Sequence, residues 1–265
     1  MTSPRLSGPV LPTGVPGVAA FGARFEELVD RLQAAIGRLG AADHPVRLGV
    51  PPVVPVATLE RTGYAAGFPH LLGTVHAFDG EAGHRATDVA ALPAACYHVY
   101  PQVAGADLTE ALVVDVTGHC FRNEGGAEPG RLRSFRMREL VRVDRPARAL
   151  SWRDAWVERA LDWMRGLDLN PRRERANDPF FGPGGRLMGR LQREDQLKWE
   201  LMVEVAAGTT QAVASCNYHK DHFGALFDVR VAGEVAHTAC TAFGLERLAL
   251  AVLHRHGTDA GSWPV

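Results

Sequence analysis

Residues 120–140 read CFRNEGGAEPGRLRSFRMREL, five arginines and three glutamates around a short loop of glycines and a proline, with strand-like residues on both sides. The chain as a whole carries 29 Lys and Arg against 30 Asp and Glu, so this charge is local and no global field advertises nucleic acid. A strand that ends in Arg122-x-Glu124, turns through glycines and returns with Phe135 can set a cation, a carboxylate and an aromatic ring on one sheet face. Those groups suit a nucleotide: arginine forks onto a phosphate, glutamate accepts from an exocyclic amine, and the ring stacks on a base. A surface hairpin with solvated ion pairs has the same composition, so both readings stand at this point.

The 265 residues, 46% of them hydrophobic, are enough for one large domain with a substantial core. The opening MTSPRLSGPVLPTGVPG has neither a basic n-region nor an apolar h-region, and no run of 18 apolar residues follows. A cytoplasmic protein without membrane contact is expected. Cys96, Cys120, Cys216 and Cys240 are too widely spaced for a disulfide framework and are read as buried thiols or metal ligands.

Residues 1–18 hold four prolines and three glycines and are expected as a disordered tail ahead of a catalytic domain over 19–265. Between Ala19 and Leu39, Phe21, Phe25, Leu28, Leu32, Ile36 and Leu39 recur at spacings of three and four, which predicts an amphipathic helix. A strand should follow at Val46–Val50, stopped by Pro51-Pro52. Further apolar stretches at 112–116, 135–143, 201–205, 212–215 and 226–231 suggest a mainly antiparallel sheet, with helices at 151–166 and 243–256. The order of elements suits an α+β domain. Arg165–Arg193 has seven arginines against three acids, with PFFGPGG in its middle, and reads either as a solvated loop or as a docking surface for an acidic partner; 151–200 is expected as a helical and loop insertion serving that docking.

The run CFRNE…RLRSFRMRE resembles the second signature motif of class II aminoacyl-tRNA synthetases, especially the seryl branch, and ACTAFGLERLALAVL resembles the third. The helix over 19–39 with the strand ending at Pro51-Pro52 resembles the first, which in that family builds the dimer interface. The resemblance implies a class II catalytic domain in which Arg122 holds the α-phosphate of ATP, Glu124 meets adenine, Phe135 stacks on it, and Arg247 takes the γ-phosphate.

Cys96, Glu139 and Cys240 fall where the zinc-dependent seryl-tRNA synthetases of methanogens, and the amino acid:[carrier protein] ligases similar to them, hold Zn2+ with a fourth position open to the substrate amine. Magnesium would fall to Gln211, to Glu204, or to the ATP phosphates and water. His219 and His222 are read as pocket lining or structural residues, with contact to ATP or the incoming thiol as the alternative, and Lys198 as an exposed lysine, with contact to the substrate or the pantetheine arm as the alternative. The 18 residues before the first predicted helix are too few for a tRNA-binding arm, so none is expected. The resemblance therefore implies a homodimeric ligase that activates glycine or alanine and passes it to the phosphopantetheine thiol of an acidic carrier protein, with no tRNA expected. A minimal synthetase that charges RNA and a silent paralogue acting by binding are the alternatives.

Overall fold

The computed structural model describes residues 8–80, 83–179, 181 and 192–265. Its centre is a seven-stranded sheet made of β3 (Val46–Gly49), β4 (Leu112–Phe121), β5 (Ser134–Asp144), β6 (Arg172–Arg175), β7 (Lys198–Ala206), β8 (Thr209–Lys220) and β9 (His237–Gly244). The spatial order is β6-β7-β8-β9-β5-β4-β3, and every neighbouring pair is antiparallel except β3 with β4. A separate hairpin pairs β1 (Val10–Pro12) with β2 (Ala19–Phe21).

Side chains alternate across a strand, so register sorts the residues onto two faces. On one face lie Leu140 of β5, Leu201 and Val203 of β7, Ala214 and Cys216 of β8, and Ala239 and Phe243 of β9, all buried. Three helices cover them: α1 (Ala23–Gly40), α2 (Pro146–Gly166) and α3 (Leu245–His256). Helix α1 buries Phe25, Leu28, Val29, Leu32 and Ile36, spaced to form one stripe, while Glu26 in its first turn and Arg38 in its last complement the helix dipole. Trp156 and Met164 of α2 are fully buried against the same layer.

The opposite face carries Met137, Glu139 and Val141 of β5, Val116, Gly118 and Cys120 of β4, Cys240 and Ala242 of β9, Ser215 and Asn217 of β8, and Lys198 and Glu200 of β7, as the paired register requires. Its cover is thinner. The turn Ala95–His98, the helix His222–Phe227 and the single-turn helix Tyr64–Gly67 pack over part of it, and a polar cavity opens over the part that carries Lys198, Glu200, Ser215 and Ala242.

Several expectations change. Residues 8–18, expected as part of a tail, form β1 and a turn that grips the loop after β4: Arg133 N–H donates to Gly17 O at 2.7 Å. Gly17 has φ +75, and a Cβ there would stand 2.7 Å from Gly125 Cα, so close approach of the two loops requires glycine. Residues 1–7 lie outside the described residues.

The stretch 226–231 is not a long strand, because Phe227 ends a helix and Asp228 turns left-handed, leaving only Arg230–Val231 extended. Within 151–200, expected as a helical and loop insertion, α2, β6 and the start of β7 belong to the central layers, while Phe180 and residues 182–191, including most of PFFGPGG, lie outside the described residues.

Candidate active site

A cavity of about 350 Å3 opens over the second face, and its lining includes Arg122, Glu124, Phe135, Gln211, Glu246 and Arg247. The four residues expected to hold ATP are therefore brought together. Arg122 follows β4 directly; its backbone N–H donates to Arg133 O at 2.8 Å and its Nε to Pro93 O at 3.1 Å, while its guanidinium lies 5.5 Å from the centre of the Phe135 ring. Arg247, in the first turn of α3, donates from Nε to Gly130 O at 2.9 Å and from Nη1 to Ala212 O at 3.0 Å. Burial, and after it the charge of Arg122, hold the Arg247 guanidinium below its usual range. Among the described residues neither arginine has an ion-pair partner, so the two repel across a pocket that an anion would stabilise.

The arginines of β5 are different. Arg136 binds Glu26 of α1 and Glu246 of α3 at 2.6 Å each, and Arg138 binds Asp115 at 2.5 Å; both guanidinium groups lie on the helix side, and Glu246 also borders the cavity. They lock helices to sheet.

Cys96, Glu139 and Cys240 also converge. The Ala95 N–H donates to Glu139 Oε1 at 2.7 Å, which draws the Ala95–His98 turn onto β5. The Cys96 thiol hydrogen-bonds to both Cys240 and Glu139. Donation to Cys240, then burial, push the Cys96 thiol well up, and the same bond, with help from His219 and Asn217, pulls Cys240 well down. Asn217 Nδ2 lies 3.2 Å and His219 Nε2 3.7 Å from Cys240 Sγ. Burial, then the neighbouring Cys240, raise the Glu139 carboxyl to about 7. Two thiols and a buried carboxylate are a donor set that zinc accepts. Among the described residues, however, no group of three or more His, Cys, Asp or Glu side chains stands ready to hold a metal ion, so the zinc expectation lacks a preformed centre. The cluster is hydrogen-bonded in upon itself.

Of the magnesium candidates, Gln211 lines the cavity with its Oε1 buried and without a partner among the described residues, while its Nε2 donates to Pro129 O at 2.7 Å. Glu204 is not there. Its carboxylate accepts the Gly208 N–H and belongs to a separate cavity of about 730 Å3 beside α3, which holds none of the ATP residues.

Lys198 corrects the reading of it as exposed: its side chain is only 13% exposed, and Nζ binds Asp178 Oδ1 at 2.5 Å and Glu200 Oε1 at 3.3 Å on the cavity wall. The signal was in the strand alternation, since Lys198 and Glu200 share a parity opposite to that of buried Leu201. Asp178 has no such signal, because it follows β6 in an irregular segment. His222 is structural, with Nε2 3.2 Å from Thr62 O, whereas His219 touches the sulfur cluster. Cys120 and Cys216 are buried thiols, as expected. No described helix is long and apolar enough to cross a membrane.

No family model matches the chain. It is 40% identical over 274 residues to amino acid–[acyl-carrier-protein] ligase 2 of Bradyrhizobium diazoefficiens, covering 95% of this chain and 82% of that one. Ligase 1 of the same organism is 40% identical over 273 residues, with 95% and 83% covered. A type-2 serine–tRNA ligase of Methanothermobacter thermautotrophicus is 30% identical over 181 residues, which is 65% of this chain and 35% of that enzyme. Among solved structures, M. kandleri SerRS, crystallised with a tRNA, superposes with a TM-score of 0.83 at 20% identity, covering 98% of this chain and 57% of that one. The fold is therefore that of class II aminoacyl-tRNA synthetases.

Proposed function

The chain belongs to the amino acid–[acyl-carrier-protein] ligase family, and from that premise we propose that it joins glycine or alanine to ATP and then to a carrier thiol. In the first half-reaction a carboxylate oxygen of the amino acid bonds to the α-phosphorus and pyrophosphate leaves. In the second, the phosphopantetheine thiolate attacks the carbonyl carbon and AMP leaves, so a thioester replaces the mixed anhydride. The observation that carries this reading is the pair Arg122 and Arg247, free of ion pairs among the described residues and facing one cavity with Phe135 and Glu124.

Fixed guanidinium groups stabilise charge where it develops on phosphate, and holding both reactants in line supplies much of the rest. Phe135 supports stacking of adenine and Glu124 an acceptor for its amine. Gln211, with its free amide oxygen, is the side chain we assign to the magnesium that accompanies ATP. Zn2+ held by Cys96, Glu139 and Cys240 would bind the free α-amine of the substrate. Glu139 is then required ionised, and Asn217 and His219 orient the Cys240 sulfur. Pairing of two copies, as the first motif implies, completes the proposal and is read by analytical ultracentrifugation.

The deciding experiment is amino-acid-dependent pyrophosphate exchange across all amino acids, with and without a chelator, followed by transfer to phosphopantetheinylated carrier or to tRNA. Exchange with glycine or alanine and thioester formation support the reading; charging of tRNA alone, or no exchange, defeats it. The carrier is expected to dock near the exposed strand Arg172–Arg175, where Arg173 and Arg175 lie against Trp199. Replacing Arg172, Arg173 and Arg175 by glutamate should spare adenylate formation and slow transfer, whereas equal loss of both steps would remove the docking assignment.

A further inference from the structure

Tyr64 begins the helix Tyr64–Gly67, entered through Gly63 at φ +76. It is only 6% exposed, and its hydroxyl has no hydrogen-bond partner among the described residues. Burial pushes the phenol up to about 12, so it remains a donor throughout the neutral range. A buried donor without an acceptor weakens a fold, because it has surrendered its water and received nothing in return. Such a group persists most readily where a ligand brings the acceptor.

Its surroundings say which ligand. The charged neighbours of the hydroxyl are Arg122, Glu124 and Asp178, and the Tyr64 ring meets Tyr97, the residue next to Cys96, edge-on at 5.5 Å. Tyr64 therefore feels the charge of the arginine assigned to the α-phosphate and, in Tyr97, touches the neighbour of a residue assigned to the substrate amine. Asp178 is already occupied, taking bonds from Lys198 Nζ at 2.5 Å and Gln192 Nε2 at 2.8 Å. Tyr64 is also absent from the lining of the nucleotide cavity.

We propose that the Tyr64 hydroxyl binds the carboxylate of the amino acid substrate and holds it beside Arg122 for attack on the α-phosphorus. This rests on the reading above, in which the amine lies at Cys96, Glu139 and Cys240. The phenol donates a hydrogen bond to the carboxylate oxygen that does not attack; it keeps its proton while the new O–P bond forms and the bond from phosphorus to pyrophosphate breaks.

The test is Tyr64→Phe, which removes one unpaired oxygen and keeps the ring. In pyrophosphate exchange the amino-acid KM should rise about 10-fold, a hydrogen bond to a charged group being worth that or more. The ATP KM should stay within about twofold, and the melting temperature should be equal to or above that of the unsubstituted protein. An unchanged amino-acid KM, a rise confined to ATP, or a clearly lowered melting temperature would each overturn the assignment. Absence of exchange in the unsubstituted protein is a different result: it strikes the ligase reading itself and takes this inference with it.

Discussion

On β5, neighbouring residues serve opposite ends. The even positions Arg136 and Arg138 reach carboxylates from the helix side, whereas the odd positions Phe135 and Met137 face the cavity and Glu139, on the same side, is buried beneath the Ala95–His98 turn. Charge on the first face is paired and structural. Around the second face, Arg122 and Arg247 have no ion-pair partner among the described residues, and Glu139 is held partly protonated near neutrality. The lesson is that an arginine-rich stretch divides by partner: the guanidinium groups that already have carboxylates hold the fold, and those without one remain available to an anion.

The contrast breaks most visibly at Arg138. Arg138→Ala strands Asp115, only 7% exposed, as a buried charge and should cost about 3–5 kcal/mol in denaturant unfolding. A loss below ~1 kcal/mol would mean that the pair is not structural. Arg247→Ala should do the reverse, lowering pyrophosphate exchange roughly 10²–10³-fold while unfolding free energy moves by only about 1 kcal/mol. Comparable losses of stability in the two variants would erase the distinction between the faces.

A third test sharpens the chemistry of the cavity face. The proton on Glu139 competes with a metal ion, and its carboxyl titrates at about 7, so zinc affinity should increase as pH rises through that value. Below it, the Glu139 proton should cost about a further tenfold per pH unit, added to the dependence set by the Cys96 proton, which binding must also displace. Calorimetric titration at pH 6, 7 and 8 checks this, and a flat profile, or undiminished binding by Glu139→Gln, would take Glu139 out of the ligand set. The smallest effect is expected at the loop clamp: Gly17→Ala forces a left-handed alanine toward Gly125, costs about 1–2 kcal/mol, and should raise the ATP KM a few-fold.

Much of this was legible from periodicity. Helix α1 declared itself through Phe25, Leu28, Leu32 and Ile36, all of which are buried, and β5 through its length of apolar residues. The four residues expected to hold ATP came from motif order, and one cavity is lined by all of them. What escaped had no local signature. Residues 8–18 look like a tail because their partners, Gly125 and Arg133, are more than a hundred residues away. Lys198 looks exposed because lysine usually is, and only its ion pairs with Asp178 and Glu200 explain its burial. The stretch 226–231 is apolar because it packs, not because it is extended.

The loop over residues 122–133 is tied at Arg133 by Gly17 near one end of the described chain, at Gly130 by Arg247 near the other, and at Pro129 by Gln211 of β8. Each tie closes a circuit of about eighty residues or more, so none can form from local structure, and the entropy of closing them falls due only when the rest of the sheet is already assembled. On the proposed assignment, phosphate binding is thus a property of the finished molecule rather than of a segment, and ATP, by gripping that loop, should slow proteolysis at positions remote from the nucleotide itself.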